Sequence, residues 1–137
     1  MKKSTTAIIT CMTDSEKPYQ YKALASVIQQ TEPCDILLFV EKHNQWIDVI
    51  VSRYPEVQVR KVELSPAGTI RNIGVVEART EFVAFLDGDD YWSPTKIEKQ
   101  LKIARETRAS FVGADHILVR DDETGNRSRP VGEDATD

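Results

Sequence analysis

The sequence predicts an α/β fold, a sandwich built on a mainly parallel sheet, and two observations carry that expectation. Residues 7–12 and 36–40 form apolar runs that do not alternate with polar residues, the pattern of strands covered by helices on both faces. Segments with apolar residues at helical spacing separate these runs from one another and from two later ones at 57–62 and 82–86. Strand and helix therefore take turns along the chain, which favours parallel strands joined by helical crossovers.

The elements follow in order. After the first strand, Tyr21, Leu24, Ala25 and Ile28 fall at i, i+3, i+4 and i+7 and predict a helix over 18–30. The second strand is followed by a short helix carrying Trp46, Val49, Ile50 and Tyr54 on one stripe. Val57-Gln58-Val59-Arg60-Lys61-Val62 alternates, so the third strand is expected to be half-exposed. Ile70, Ile73 and Gly74 mark a third helix over 67–78, with Gly74 permitting close approach to a neighbour. Phe82-Val83-Ala84-Phe85-Leu86 reads as another buried strand. Ser93-Pro94 reads as a helix start, Ser capping and Pro in the first turn, and Ile97, Leu101 and Ala104 carry the buried face to about residue 108. Residues 111–114 and 117–119 predict one or two shorter strands, and 121–126 a polar turn. The expected domain spans 1–120, with 121–137 as a mobile polar tail.

Composition narrows the function classes. The chain has 137 residues, 40% of them hydrophobic and 29% charged, enough for one packed domain. Its net charge of −4 gives no footprint for nucleic acid, which is not an expected partner. The longest apolar runs are far short of the ~20 residues of a membrane span, and Met1-Lys2-Lys3 is not followed by the apolar stretch of a signal peptide. Cys11 and Cys34 lack metal-ligand spacing and read as two buried thiols, so a cytoplasmic location is expected. An oligomer is compatible with all of this.

The chemistry-bearing segment is Leu86-Asp87-Gly88-Asp89-Asp90-Tyr91-Trp92-Ser93-Pro94. A buried strand ends there in carboxylates spaced around one glycine, where open α/β sheets bind ligands. Crowded carboxylates repel, and a divalent cation such as Mg²⁺ or Mn²⁺, which prefers oxygen ligands and shares them with phosphates, relieves that repulsion. An acidic turn that merely solvates the strand end is the competing explanation.

Arg71-Asn72-Ile73-Gly74, followed by Ala78-Arg79-Thr80-Glu81 and Phe85-Leu86-Asp87-Gly88-Asp89-Asp90-Tyr91-Trp92, resembles the nucleotide-sugar-binding core of family-2 glycosyltransferases. The resemblance implies a GT-A (Rossmann-like) α/β/α sandwich, and it extends more loosely over 7–120. It implies a metal-dependent enzyme that binds a nucleoside-diphosphate sugar and transfers the sugar, with inversion, to an acceptor hydroxyl on a glycan, lipid or protein. Asp89 matches the family's metal-ligating acid, and Asp87 its first acid, which contacts the ribose or metal-bound water. Arg71 matches a basic residue of the nucleotide pocket. Thr13 and Asp14 lie in the loop that holds base and ribose in the family.

The sequence departs from the family pattern at three places. Glu41, in Val40-Glu41-Lys42-His43, stands where the family has a base-recognising Asp-Asp-Gly-Ser run. Thr80 replaces a turn glycine. Only 48 residues follow Asp89, whereas the family's catalytic base lies well downstream in an acceptor-binding half. The chain is thus expected to lack most of that half, and the catalytic base is unassigned, with Asp115 a candidate and His116 beside it. Two other classes stay open. One is a nucleotide-sugar binding module, or truncated donor half, without turnover of its own. The other is a nucleotidyltransferase, against which stands the acidic, glycine-free Thr13-Asp14-Ser15-Glu16 in place of a basic phosphate loop.

Overall fold

The computed structural model describes residues 2–108 and the backbone of the short strands Arg120–Asp121 and Arg127–Ser128. The chain divides into two compact units, Met1–Pro94 and Thr95–Asp137. The first contains β1 (Thr5–Cys11), a 3₁₀ turn (Asp14–Glu16), α1 (Lys17–Ile28), β2 (Asp35–Glu41), α2 (Trp46–Val51), β3 (Val57–Val62), α3 (Ala67–Glu77) and β4 (Phe82–Asp87). Its strands form one all-parallel sheet in the order β3-β2-β1-β4. The α/β expectation holds.

Position in the sheet explains the strand patterns. β1 lies between two partners and is buried at every residue from Thr5 to Cys11, and β2 is buried through Ile36–Val40. Among the described residues β3 ends the sheet on one side, in keeping with its alternating sequence. β4 corrects the sequence reading: among the described residues its one ladder is to β1, and Phe85 is 42% exposed. A continuous apolar run does not by itself show that both faces of a strand are covered.

One core cluster joins Ile8 of β1, Leu37 and Phe39 of β2 and Ile70 of α3, with Met12, Val62 and Val83 against it. Gly74 makes this closeness possible, because a Cβ there would lie 2.7 Å from Ile8 Cγ2. Two helical stripes are shifted from the sequence reading. On α1 the buried residues are Gln20, Ala23, Leu24 and Val27, while Tyr21 is exposed. On α2 they are Ile47 and Ile50, while Val49 is exposed and Trp46 is turned toward another partner.

The second unit contains α4 (Lys96–Thr107) and the antiparallel pair β5 (Arg120–Asp121) and β6 (Arg127–Ser128). Ile97, Leu101 and Ala104 are the buried residues of α4, as the spacing predicts. Its N-cap is Thr95, so Ser93 and Pro94 precede the helix rather than open it. The strands expected at 111–114 and 117–119 lie outside the described residues, as does the polar tail apart from Asp121, Arg127 and Ser128. No described helix is long and apolar enough to cross a membrane.

Cys11 and Cys34 are both free and buried, and burial pushes each thiol up to about 12. Thiolate is the reactive form. At pH 8 both should therefore react with a disulfide reagent on the order of a hundredfold more slowly in the native protein than in urea. A stopped-flow comparison of the two states measures this, and fast native labelling of either thiol would contradict its burial.

Candidate functional site

Strand order singles out one end of the sheet. From β1 the chain steps outward to β2 and β3, then returns to place β4 on the other side of β1. That reversal makes the C-terminal ends of β1 and β4 a topological switch point, where the outgoing loops diverge and leave a crevice. The register sets Thr10 opposite Asp87 at this end.

The β4 end is held by its backbone. Gly88 N–H donates to Thr10 O at 2.7 Å, and Asp90 N–H donates to Asp87 O at 3.0 Å. A Cβ on Gly88 would collide with the Glu16 carboxylate and lie 2.8 Å from Thr10 O and 2.9 Å from Gln20 Oε1, so this turn packs tightly on the loop after β1. It gathers Asp87, Asp89 and Asp90, one carboxylate oxygen from each lying within 4.8 Å of the others. Asp87 Oδ1 accepts from Arg71 Nη2 at 3.0 Å and from Thr10 Oγ1 at 3.4 Å. Among the described residues no hydrogen bond or ion pair holds Asp89. An all-oxygen, anionic donor set of this kind fits a hard divalent cation.

The loop after β1 is fixed by Glu16. Its Oε1 accepts Met12 N–H at 3.1 Å, Thr13 N–H at 3.3 Å and Thr13 Oγ1 at 3.3 Å. Burial raises the Glu16 carboxyl above its usual range and the Asp89 charge adds to this, while the hydrogen bonds from Met12 and Thr13 pull the other way. Asp14 Oδ1 accepts Trp46 Nε1–H at 2.9 Å, which ties this loop to the start of α2. The Cys11 thiol is raised first by burial and then by the charges of Glu16, Asp89 and Asp14.

Of the residues expected at the site, Asp87, Asp89 and Arg71 come together, and Thr13 and Asp14 stand on the adjoining loop. Glu41 ends β2 on the same edge, but its carboxylate bends back, Oε2 accepting His43 N–H at 2.7 Å. Asp115 and His116 lie outside the described residues. Sequence reasoning missed Trp46, which helical spacing assigned to a core stripe, and Glu16. The signal for Glu16 was present, since Thr13-x-x-Glu16 is the spacing of a capping box, which the structure forms. Thr80 also has a role: its hydroxyl donates to Phe82 O at 2.8 Å and therefore accepts from Thr6 Oγ1 at 2.6 Å, closing the turn into β4.

A cavity of about 560 Å³ lies elsewhere, lined by Thr6, Asp35, Gln58, Arg60, Glu77 and Arg79 among others. These residues belong to the beginnings of strands and the end of α3, so the cavity opens at the edge opposite the carboxylates. Arg60 is already paired there with Glu77 at 3.0 Å.

Comparison with known proteins gives a consistent result. A family profile described as Glycosyl transferase family 2 matches residues 6–133. The putative teichuronic acid biosynthesis glycosyltransferase TuaG of Bacillus subtilis is 37% identical over 90 residues, covering 66% of this chain and 32% of TuaG. The chain spans less than half the length of the curated relatives it matches. Among solved structures, S. aureus TarS 1-349 in complex with UDP superposes with a TM-score of 0.67 at 21% identity, covering 77% of this chain and 33% of that one. The mannosyltransferase PcManGT of Pyrobaculum calidifontis, in complex with GDP-Man and Mn²⁺, gives a TM-score of 0.65 at 17% identity, covering 88% of this chain and 37% of that one. A 4-diphosphocytidyl-2C-methyl-D-erythritol synthase from Anaerococcus prevotii gives 0.61 at 16% identity, covering 93% and 64%. At such identities these structures establish the shared fold, and a fold alone does not select a reaction.

Proposed function

The chain belongs to glycosyl transferase family 2, and from that premise we propose that its switch-point crevice binds a nucleoside-diphosphate sugar together with Mn²⁺ or Mg²⁺ and presents the sugar for transfer, with inversion, to an acceptor hydroxyl. The observation that carries this reading is the convergence of Asp87, Asp89 and Asp90 with Arg71 on the C-terminal end of β4. UDP in TarS and GDP-Man with Mn²⁺ in PcManGT, two proteins of the same fold, add support.

Asp89 and Asp87 hold the cation, which when bound stabilises negative charge on the departing diphosphate. Arg71 offers a planar fork of donors suited to phosphate oxygens. Thr13 and Asp14 bind the nucleoside side, with Glu16 and Trp46 fixing their loop and Glu41 at its far end. Because the carboxylates stand at the end of a sheet strand and in the turn it anchors, the anomeric carbon is held in a fixed direction, and positioning becomes rate. The base that would deprotonate the acceptor is unassigned, and Asp115 is the first residue to test.

A second reading is a donor-binding module without turnover, for which the same carboxylates and Arg71 would suffice. One experiment separates the possibilities. Purified chain is incubated with a panel of sugar nucleotides, with and without Mn²⁺, and nucleoside diphosphate release is followed beside calorimetric binding. Mn²⁺-dependent binding with release marks the transferase, and binding without release marks the module. Release of pyrophosphate from a nucleoside triphosphate would overturn both.

A further inference from the structure

We propose that Arg71 couples the cation to the nucleotide: in the free protein its guanidinium occupies Asp87 and weakens binding of a cation alone, and the diphosphate draws it away. This rests on the reading of the crevice as a donor site. Arg71 Nη2 donates to Asp87 Oδ1 at 3.0 Å, and the same oxygen also accepts the Thr10 hydroxyl at 3.4 Å. Both acceptor positions of that oxygen are therefore engaged. A cation approaching alone meets an oxygen already in use and a fixed positive charge beside it.

The pair is built to exchange. Its side chains are 39% and 49% exposed, so the bridge is a weak one by the standards of surface ion pairs. The guanidinium also lies over the exposed Phe85 ring, 5.6 Å from its centroid, a second contact close to the Asp87 pair. A diphosphate presents more oxygens and more charge than one carboxylate, and a bidentate fork favours it. Once Arg71 turns to the diphosphate, Asp87 is released to the cation that the diphosphate carries. By linkage, cation and nucleotide must then strengthen each other by the same factor. Arg71 acts here as a coupling residue, distinct from a simple phosphate contact, and only the coupling role predicts tighter binding of the cation alone once the Arg71 charge is removed.

The test uses the 137-residue chain and its Arg71→Met and Arg71→Lys variants, with Mn²⁺ binding followed by electron paramagnetic resonance and UDP or GDP binding by calorimetry. Arg71→Met removes the charge and keeps the stem. It should bind Mn²⁺ alone about three- to tenfold more tightly than the wild type, as expected when one cation beside a shared carboxylate is removed. Its affinity for nucleoside diphosphate in Mn²⁺ should fall, and the mutual enhancement should shrink toward one. Arg71→Lys keeps the charge, so its affinity for Mn²⁺ alone should stay near the wild-type value. Unchanged or weaker binding of Mn²⁺ alone by Arg71→Met overturns the proposal, as does the absence of Mn²⁺ binding in both proteins. If the wild type binds Mn²⁺ but no nucleoside diphosphate, the donor-site reading and the exchange both fall. Wild-type binding of both, with no change of Mn²⁺ affinity in Arg71→Met, removes the coupling and leaves the donor site standing.

Discussion

Asp89→Ala is expected to abolish Mn²⁺-dependent binding of a nucleoside diphosphate, while Glu56→Ala leaves it near the wild-type value. Substituting residues that merely orient a metal ligand costs about 10–100-fold in affinity, so loss of a ligand should exceed the upper end of that range. Asp89 belongs to the carboxylate cluster and has no hydrogen-bond or ion-pair partner among the described residues, so its removal leaves no orphaned group behind. Glu56 is exposed just before β3, at the opposite edge of the sheet. It controls for loss of one negative charge. Calorimetric titration with and without Mn²⁺ reads both variants, and equal effects would remove Asp89 from the site.

Gly74→Val is expected to destabilise the protein by about 3 kcal/mol, the upper end of the usual cost of overpacking a core. A Cβ at this position would lie 2.7 Å from Ile8 Cγ2, 2.9 Å from Cδ1 and 3.1 Å from Cγ1. Ile8 is fully buried in a strand paired on both sides, so it has little room to retreat. Replacing glycine within a helix ordinarily gains up to about 1 kcal/mol, which this clash outweighs. Arg71 sits one turn away on the same helix, so outward movement of α3 would also disturb its pair with Asp87. Urea unfolding reads the stability, and a midpoint equal to the wild type would show that α3 does not pack as closely as described.

The sheet was legible because burial on both faces leaves a direct trace in β1 and β2. Gly74 and the carboxylate run were legible for similar reasons: a glycine inside a helical pattern and acids at a strand end both conflict with local preference. Helical stripes were less so. Gln20 is fully buried on α1, and its amide has no hydrogen-bond partner among the described residues, so polarity misplaced that face by one residue. Trp46 was misread because an aromatic residue at helical spacing fits a core as well as a hydrogen bond to a neighbouring loop. Whether Phe85 was covered depended on strand order, which the sequence of β4 does not encode.

One cation and one diphosphate should share the β4 end. Crystals of the chain grown with Mn²⁺ and UDP or GDP, with diffraction collected at the manganese absorption edge, test it most directly. An anomalous peak is expected within bonding distance of an Asp89 carboxylate oxygen and of a diphosphate oxygen, with Arg71 moved from Asp87 to the diphosphate. A diphosphate bound at the opposite edge, in the cavity beside Arg60 and Arg79, or a manganese peak away from Asp87, Asp89 and Asp90, would contradict it.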